Sequence, residues 1–596
     1  MRRAWWCGLL LLLLWWPPLI TQGRLTPLAT DFTELLRWVP EEADFAIAVA
    51  RPGAVADTLR DLLESERLRE LPAYREASEQ VNVRRFLQLL RYAERELGKP
   101  WRELVDVLAG GGIVLAGKYA PSPAPLLLIV YGRDAALLQQ GVRIFSDVTE
   151  QELARRDLPS QRREHQRSGL KITQLGEVYY TVQGTRLLLS NRLEVFDYAA
   201  PLLAGNGERS LANAAKWQGA RRSIPPEAVA WAWVDLRPLK SLPQVRQAVE
   251  LPGDVPLAHV FFGRYLDLFR RADYLTTWLT LQRQELHLTL YVPAGWKEAS
   301  PAAGAQTPTD GRVQLRPPLC VPGTIYTSSF YFDPASFLQQ RDKLLRPEQR
   351  QAFEEFDKNS SKFLLGTRFS ELVSGLGSRH RLIVAQPDRQ TYSQRPGTIL
   401  PSFALVLELK DAEKTGTKLA AILRAAALLA SFQTRLELGE ENHNGVKLVG
   451  YRFAEKDTNR AVRNGLLFNF SPCFAQVGDQ FVLASTLELG RQIIRALLSE
   501  KLPAADSPDK EGRLTQTAAV PLFTDVFSWS GVATLLQGSE EQLVVQYVLE
   551  REQSLESARK QARQVTELVR SLGQIELRLR MADEQTRLQL HWQLAP

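Results

Sequence analysis

The stretch LGKPWRELV at positions 97–105 returns as LGTRFSELV at positions 365–373. In each copy a glycine follows an apolar helical pattern, and an aromatic residue stands three positions later. A glycine at this place is typical of a helix that ends in the left-handed conformation, and the aromatic side chain would then dock the next short helix. The recurrence predicts that the two halves of the chain repeat one structural unit.

Two further matches flank this stretch in the same order. Upstream, Val-Pro at 39–40 and again at 321–322 opens a strand that is followed by a helix. Downstream, GLKI at 169–172 answers GVKL at 445–448, and each begins a strand of alternating pattern. The separation is 282 residues at the first match and 276 at the second, so the order of elements is kept while loop lengths change.

A third match, between GTRLLL at 184–189 and GDQFVL at 478–483, has a separation of 294 residues. The increase from 276 to 294 indicates an insertion of 18 residues in the second copy, which an exposed loop tolerates. Each predicted copy then ends with a helix and two alternating strands. These closing strands are predicted at 274–282, 285–292, 575–581 and 586–594.

The matches predict an α+β fold made of two tandem copies of a mixed, largely antiparallel sheet domain with helices packed on one face. The copies are predicted at residues 24–294 and 319–596. A segment rich in Pro, Ala, Gly and Thr at 295–318 is typical of a linker. The second copy is also predicted to contain one long helix near 539–571, because Ser539 begins a capping-box spacing and apolar residues recur after it.

The N-terminal residues 1–23 have the layout of a secretory signal peptide, with two arginines before an unbroken apolar run at 4–16 and cleavage predicted after Gly23. An uncleaved anchor is the alternative, since residues 4–20 reach the lower length limit of a membrane-spanning helix. We therefore predict an exported protein that is periplasmic, secreted or on the cell surface. No other apolar stretch is predicted to reach membrane-spanning length, so membrane contact is expected only through an uncleaved N-terminal segment.

The composition of the 596-residue chain is that of an ordinary globular protein, with 45% hydrophobic and 24% charged residues. The formal net charge of +7 is small for this length and favours at most a loose association with anionic surfaces. Two cysteines remain after cleavage, Cys320 and Cys473, and the sequence leaves open whether they form a disulfide.

Motifs of catalysis are incomplete in this sequence. Residues 112–118 match the glycine and lysine spacing of a phosphate-binding loop, but Tyr119 replaces the required Ser or Thr. Ser378 lies near His380, yet adjacency in sequence does not make a catalytic triad, and a polar turn is the simpler interpretation. The histidines lack metal-ligand spacing. The sequence therefore predicts no catalytic residue, no metal site and no cofactor.

The densest basic stretch lies between a predicted helix and the strand that starts near Gly169. Its charge would suit phosphate-rich partners such as lipid headgroups or envelope polymers, but it has no aromatic residues to stack bases, which argues against nucleic acid. A solvated loop is the alternative. The residues of this candidate anion-binding loop are Arg155, Arg156, Arg162, Arg163 and Arg167.

A resemblance to a known family rests on three features of the first copy. They are Val-Pro at 39–40, the Leu-Gly helix end at 97–98, and a strand-then-helix passage at 187–194 in which Ser190 and Asn191 are predicted to cap the helix. This pattern, with its echoes in the second half, resembles a family of uncharacterised exported bacterial proteins, catalogued as a domain of unknown function. The resemblance implies an envelope location and no assigned activity.

The leading hypothesis is an exported, non-enzymatic binding or scaffold protein of the cell envelope, whose ligand the sequence does not identify. Duplication of a domain without catalytic groups can form a binding groove without new chemistry. Two alternatives stay open. One is a hydrolase whose site is assembled from distant residues, and the other is a binder of anionic polymer or nucleic acid through the basic loop.

Overall fold

A computed structural model describes most of the chain from Phe32 to Ala595. The predicted signal segment at 1–23 lies outside the described residues. The described ranges are 32–64, 78–120, 123–155, 162–205, 207–249, 256–282, 285–297, 299, 305–308, 314–388, 390–393, 396, 399–434, 436–455, 466–500, 519–552 and 554–595.

The chain divides into two compact units. Unit 1 comprises the chain through Leu242 together with Asp273–Tyr291. Unit 2 comprises Pro243–Ala272 together with Val292–Ala595. The last change of unit, between Tyr291 and Val292, falls close to the boundary predicted from the sequence.

Residues 243–272 group with unit 2, although the sequence placed them in the first copy. Side-chain hydrogen bonds to the predicted linker explain this grouping. Arg264, which is 5% exposed, donates from Nη1 to the carbonyl of Gln306 at 2.9 Å. Arg271 donates from Nη2 to the carbonyl of Gly295 at 2.6 Å. The segment from 295 onward is therefore packed into unit 2 at these points, as part of a folded domain.

Unit 1 contains ten strands in one antiparallel sheet, in the order β4-β5-β6-β7-β3-β2-β1-β8-β9-β10. Its described elements are α1 (Phe32–Leu36), β1 (Phe45–Val49), α2 (Pro52–Glu64), α3 (Val81–Leu97), α4 (Trp101–Ala109), β2 (Gly112–Gly117), β3 (Leu126–Tyr131), α5 (Ala135–Arg155), β4 (Arg163–Arg167), β5 (Leu170–Leu175), β6 (Val178–Gln183), β7 (Arg186–Ser190), α6 (Val195–Leu203), α7 (Ala215–Arg221), β8 (Ala230–Asp235), α8 (Leu236–Ser241), β9 (Tyr274–Gln282) and β10 (Glu285–Val292).

Unit 2 also contains ten strands in antiparallel order, β14-β15-β16-β17-β13-β12-β11-β18-β19-β20. Its described elements are α9 (Pro243–Val249), α10 (Pro256–Arg271), β11 (Thr324–Tyr331), α11 (Pro334–Leu344), α12 (Pro347–Ser360), α13 (Phe369–Ser374), β12 (Arg379–Ala385), β13 (Ser402–Glu408), α14 (Ala412–Thr434), β14 (Leu436–His443), β15 (Val446–Phe453), β16 (Cys473–Val477), β17 (Gln480–Ala484), α15 (Leu487–Ser499), β18 (Val520–Ser528), α16 (Trp529–Gly538), α17 (Glu540–Arg551), α18 (Leu555–Ser571), β19 (Gln574–Met581) and β20 (Thr586–Gln593).

The α+β class with a largely antiparallel sheet is confirmed. Adding ten to each strand number of unit 1 reproduces the strand order of unit 2. Helices also fall at the same points of the two orders. A long helix follows the third strand of each unit (α5 and α14), and a shorter helix follows the seventh (α6 and α15).

The prediction that helices pack on one face of the sheet is wrong for unit 2, where helices cover both faces. Val482 belongs to the apolar cluster that contains α15 residues such as Ile493. The preceding Phe481 belongs to a different cluster, against which Leu423 of α14 packs. Successive side chains of a strand point to opposite faces, so two adjacent apolar residues need cover on both sides.

Gly98 ends α3 with a φ of 67°, and its N–H donates to the carbonyl of Glu94, so the predicted left-handed helix end is confirmed. Gly366 has a φ of 83° but does not end a helix directly. The helix before it, α12, ends at Ser360, and a turn separates the two residues. Trp101 and Phe369, three residues after each glycine, are the first residues of α4 and α13, as predicted.

The prediction of one long helix near 539–571 is wrong, because this segment contains two helices that pack against each other. Glu552, after the end of α17, has a φ of 52°, which interrupts helical geometry. Ser554 is extended and begins α18, and its hydroxyl accepts the N–H of Ser557 at 3.2 Å. The reversal lets Val544 of α17 share an apolar cluster with Ala558 of α18.

Ser190 and Asn191 do not cap a helix, contrary to the prediction. Asn191 accepts the N–H of Leu126 on Oδ1 at 2.9 Å, and Ser190 donates to the carbonyl of Leu126 at 2.7 Å. The helix that follows, α6, begins after Glu194, which makes no side-chain capping bond. These side chains therefore tie the end of β7 to the start of its neighbour β3.

Candidate functional site

The predicted anion-binding loop is in large part a strand. Arg163–Arg167 form β4, which pairs with β5 at one end of the unit 1 sheet order. Arg155 is the last residue of α5, and Arg156 lies outside the described residues. Main-chain hydrogen bonds to β5 hold a segment whose composition is that of a loop, and composition does not reveal such pairing.

Two of these arginines lie against carboxylates. Arg167 Nε donates to Asp197 Oδ1 at 2.9 Å, and Arg162 Nη1 lies 4.0 Å from Glu150 Oε1. The side chain of Arg163 is exposed. Because the two acidic partners offset part of the positive charge, this segment presents a weaker field than its sequence indicates.

The serine and histidine that lie close in sequence, Ser378 and His380, do not form a catalytic pair. His380 Nε2 lies 3.0 Å from the carbonyl of Phe332, and its Nδ1 accepts the N–H of Glu408 at 3.4 Å. Both imidazole nitrogens are therefore used by main-chain atoms. Burial lowers the pKa of His380, which keeps the ring neutral.

Glu408 organises this turn and provides a pH-dependent part of the stability of unit 2. Burial alone would raise the pKa of Glu408, but hydrogen bonds and the charge of Arg379 hold it below its ordinary value. Its carboxylate accepts the N–H groups of Ser378 at 3.0 Å and Arg379 at 2.9 Å, and also Arg379 Nε at 2.7 Å. A depressed pKa stabilises the fold above the pKa of the unfolded state, and this contribution is lost as the pH falls through the folded-state pKa.

We expect Glu408→Gln to lower the free energy of unfolding by roughly 2 kcal/mol at pH 7, because charge-assisted hydrogen bonds are lost. The difference from wild type should shrink below about pH 4, where the wild-type carboxylate also becomes protonated. Urea denaturation at both pH values measures this. Glu440→Gln, at a side chain that also bonds basic residues but is more exposed, is the control and should change little. An effect of Glu408→Gln that is independent of pH would contradict the assignment.

Each unit contains a cavity beside the helix that follows its seventh strand. The unit 1 cavity has a volume of about 220 Å³, and the unit 2 cavity about 520 Å³. The unit 1 cavity is lined by Pro40, Glu42, Ala43, Ala116, Gly117, Lys118, Pro125, Leu126, Leu127, Arg192, Glu194, Val195 and Tyr198. The unit 2 cavity is lined by Pro322, Ala385, Gln386, Pro387, Asp388, Gln390, Ser402, Thr486, Glu488, Leu489, Gln492, Thr534, Gln537 and Gly538.

The two cavities occupy corresponding places in the two units. Pro40 and Pro322 belong to the Val-Pro match, and each lines the cavity of its unit. Four lining residues around α6 recur around α15 at the 294-residue separation of the strand match, with glutamate kept in both. The pairs are Arg192 with Thr486, Glu194 with Glu488, Val195 with Leu489, and Tyr198 with Gln492.

The linings of the two cavities differ in chemistry. Carbon-rich residues such as Leu126, Val195 and Tyr198 make up most of the unit 1 lining. The unit 2 lining carries four glutamines, three hydroxyl side chains and two carboxylates, which belong to Asp388 and Glu488. Its named residues include no Lys, Arg or His. A polar ligand that is neutral or cationic therefore suits the unit 2 cavity, since it has no cation to balance an anion.

Several side chains of the unit 2 cavity are held in place by hydrogen bonds. Gln386 Nε2 donates to the carbonyl of Gly531 at 2.6 Å. Gln492 Nε2 donates to Glu488 Oε1 at 3.1 Å. Fixed amide groups lose little conformational entropy when a ligand binds, and so the lining is suited to recognition by hydrogen bonds.

The unit 2 cavity offers hydroxyl groups but no base to activate them. Thr486 Oγ1 donates to Ser402 Oγ at 3.3 Å, and both side chains are buried. Among the described lining residues, no imidazole or amine lies beside these hydroxyls. A serine nucleophile needs such a partner to become reactive, so the cavity gives no support to the hydrolase alternative.

The helix α14 carries an apolar surface that the sequence interpretation missed. Among the described residues it is the one helix long and apolar enough to cross a membrane, and 11% of its most apolar 18-residue stretch is buried. The prediction that no second apolar stretch reaches this length is therefore wrong. Leu428, Leu429 and Phe432, here called the apolar trio, are 63%, 69% and 81% exposed.

The two remaining cysteines are free thiols. Cys473 is buried and donates from Sγ to the carbonyl of Thr486 at 3.3 Å, and burial raises its pKa to about 12. Cys320 is exposed. A thiol with a raised pKa is a poor nucleophile at neutral pH, so Cys473 has a packing role.

Comparisons with known proteins leave the function of the chain open. No family model matches it, and no curated protein matches it. Crystal forms IV, I and III of TP0453 are similar in part, with identities of 10%, 11% and 10% and a TM-score of 0.22 in each case. They cover 43%, 44% and 43% of this chain and 79%, 79% and 78% of that chain. A likeness this low supports no conclusion, and these outcomes are consistent with the resemblance to an uncharacterised family.

Proposed function

We propose that the chain is an exported, non-enzymatic binding protein of the cell envelope that holds a small ligand in each unit. The observation that carries this proposal is the occurrence of a cavity at the same place in both units, lined by residues at matched separations. A volume of about 520 Å³ in unit 2 lies in the range typical of small-molecule sites, roughly 300–1,000 Å³. Export rests on the signal-like residues 1–23.

Tandem duplication of one ancestral domain explains the matched cavities. The same order of ten antiparallel strands in both units supports this origin, as do the sequence matches at separations of 276 to 294 residues. After duplication each copy is free to change its lining while the fold is kept. The apolar lining of unit 1 and the amide-rich lining of unit 2 are what such divergence would produce, so we infer two ligands of different polarity.

The ligand of the unit 2 cavity is inferred to be polar and neutral or cationic. Asp388 and Glu488 would repel an anion, and the glutamine amides offer both donors and acceptors. Hydroxylated or amide-containing molecules have the complementary groups. This proposal differs from the alternative of an anionic polymer bound at the basic segment, where two arginines lie against carboxylates.

Native mass spectrometry of protein purified from its own envelope is expected to show a copurifying small molecule. Thr534 is an exposed residue of the unit 2 cavity lining, so Thr534→Trp should obstruct this cavity and remove the added mass. Gln546→Trp, at an exposed position of α17 outside the lining, is the matched control and should keep it. Repeated recovery of a bare wild-type monomer, or retention of the added mass in Thr534→Trp, would count against a ligand in the unit 2 cavity.

A further inference from the structure

The surface of α14 that faces away from the sheet reads as basic residues followed by apolar ones. The sheet-facing side packs through Leu419, Leu423 and Ala427 against the core of unit 2. Residues spaced by three and four positions share one side of a helix, which places another set of residues on the opposite side. This outer face consists of Lys414, Lys418, Ala421, Ala425 and the apolar trio Leu428, Leu429 and Phe432.

The corresponding helix of unit 1 shows that the fold does not require an apolar outer face. Each helix is capped by the aspartate just before it, since Asp134 accepts the N–H of Leu137 at 3.0 Å and Asp411 accepts that of Lys414 at 2.9 Å. Counted from these aspartates, the positions of the apolar trio are occupied in unit 1 by polar residues. They are Gln151, Glu152 and Arg155.

We propose that the outer face of α14 docks on the surface of an anionic phospholipid bilayer. A bilayer presents phosphate groups and hydrocarbon within a few ångströms of each other, and a helix that lies in this interface buries apolar side chains while its basic ones meet the phosphates. The outer face offers both kinds of group along one line. This contact does not involve the cavities, and it adds a membrane site beyond an uncleaved N-terminal segment.

Charge beside the N-terminal half of α14 supports this partner. A groove between α11, α13 and this part of α14 is lined by four basic residues against two acidic ones. The acidic residues are Asp411 and Glu371, and Glu371 is bonded to Lys418. The basic residues are Arg341, Lys410, Lys414 and Lys418. The excess of positive charge matches an anionic headgroup layer.

The geometry indicates a helix that lies on the membrane and does not cross it. Its inner face is part of a protein core, and Arg424 on its side is bonded to Glu440 of β14 at 2.6 Å. Removing α14 to span a bilayer would break both contacts. A second copy of the chain is a weaker candidate, because a stable dimer buries about 800 Å² per partner, and three side chains of about 200 Å² or less each supply well below that area.

Vesicle co-sedimentation tests the proposal with the chain from Arg24 onward, which keeps every described residue and lacks the N-terminal apolar run. The probes are vesicles of phosphatidylcholine with 30% phosphatidylglycerol and vesicles of phosphatidylcholine alone. Leu428→Gln/Leu429→Gln/Phe432→Gln is expected to lower partitioning at least about tenfold. Lys414→Gln should lower binding to the anionic vesicles about fivefold and leave the neutral ones unchanged.

The matched control is Phe363→Gln/Val545→Gln/Leu549→Gln, which removes three side chains of unit 2 that are 80%, 56% and 75% exposed outside α14. Its partitioning should equal that of wild type, and circular dichroism should show all variants folded. Partitioning of the α14 variant equal to wild type would overturn the proposal, as would an equal loss in the control. A wild-type dimer that dissociates in the α14 variant without any vesicle binding would also overturn it and indicate a second copy as the occupant.

Discussion

Arg381→Leu should lower the free energy of unfolding of unit 2 by about 3–5 kcal/mol, because it leaves the carboxylate of Glu500 without its charged partner. The side chains of Arg381 and Glu500 are 2% and 11% exposed. Arg381 donates from Nη1 to Glu500 Oε2 at 3.1 Å and from Nη2 to Glu500 Oε1, so the contact has two hydrogen bonds. Nη1 also lies 3.3 Å from Gln480 Oε1.

The double variant Arg381→Leu/Glu500→Leu separates the cost of an unpaired charge from the loss of packing. Replacing both members of a buried ion pair with apolar residues is often neutral, so most of the lost stability should return. Hydrogen exchange measured by mass spectrometry on unit 2 peptides reads the effect locally, which matters because two units need not unfold together. If the double variant is as unstable as the single one, the ion pair is not the cause.

Trp217→Ala should destabilise unit 1 by about 3–5 kcal/mol, the usual cost of removing a large aromatic side chain from a core. Trp217 is 0% exposed and stacks on Trp231 with ring centroids 4.8 Å apart. It also meets Trp233 edge to face at 6.1 Å. Both partners belong to β8, so the substitution would leave a void between α7 and the sheet.

Peptides from β8 and α7 should lose protection from hydrogen exchange in Trp217→Ala, while those of unit 2 keep it. Phe145→Ala is the matched control, since Phe145 is 54% exposed on α5 and its removal leaves no cavity. We expect the control to stay within about 0.5 kcal/mol of wild type. Equal effects of the two substitutions would contradict the assignment of Trp217 to the core.

Much of the local structure follows from short stretches of sequence. The bounds predicted for β9 and β10 agree with the structure, and those of β19 and β20 differ by one residue at one end. Gly98 ends α3 in the predicted conformation. These features depend on residues within a few positions of each other, through alternation of apolar side chains and the freedom of glycine at positive φ.

The break between α17 and α18 shows where such patterns fail. Apolar residues recur across residues 539–571 as in one helix, but the two segments pack against each other, and this requires a reversal after Arg551. Ser554 supplies a cap that the chain uses only because the packed arrangement is more stable. Periodicity does not distinguish one long helix from two antiparallel ones.

By itself the sequence determined the order of helices and strands, the turns and the matches between the two halves, because these depend on near neighbours. The tertiary structure alone decided which strands pair, which faces helices cover, and which residues meet at a cavity. The unit 2 cavity joins positions from Pro322 to Gly538, and the apolar trio matters only because the opposite side of α14 is already packed. Proximity and exposure follow from how the whole chain packs, and short-range preferences carry no record of them.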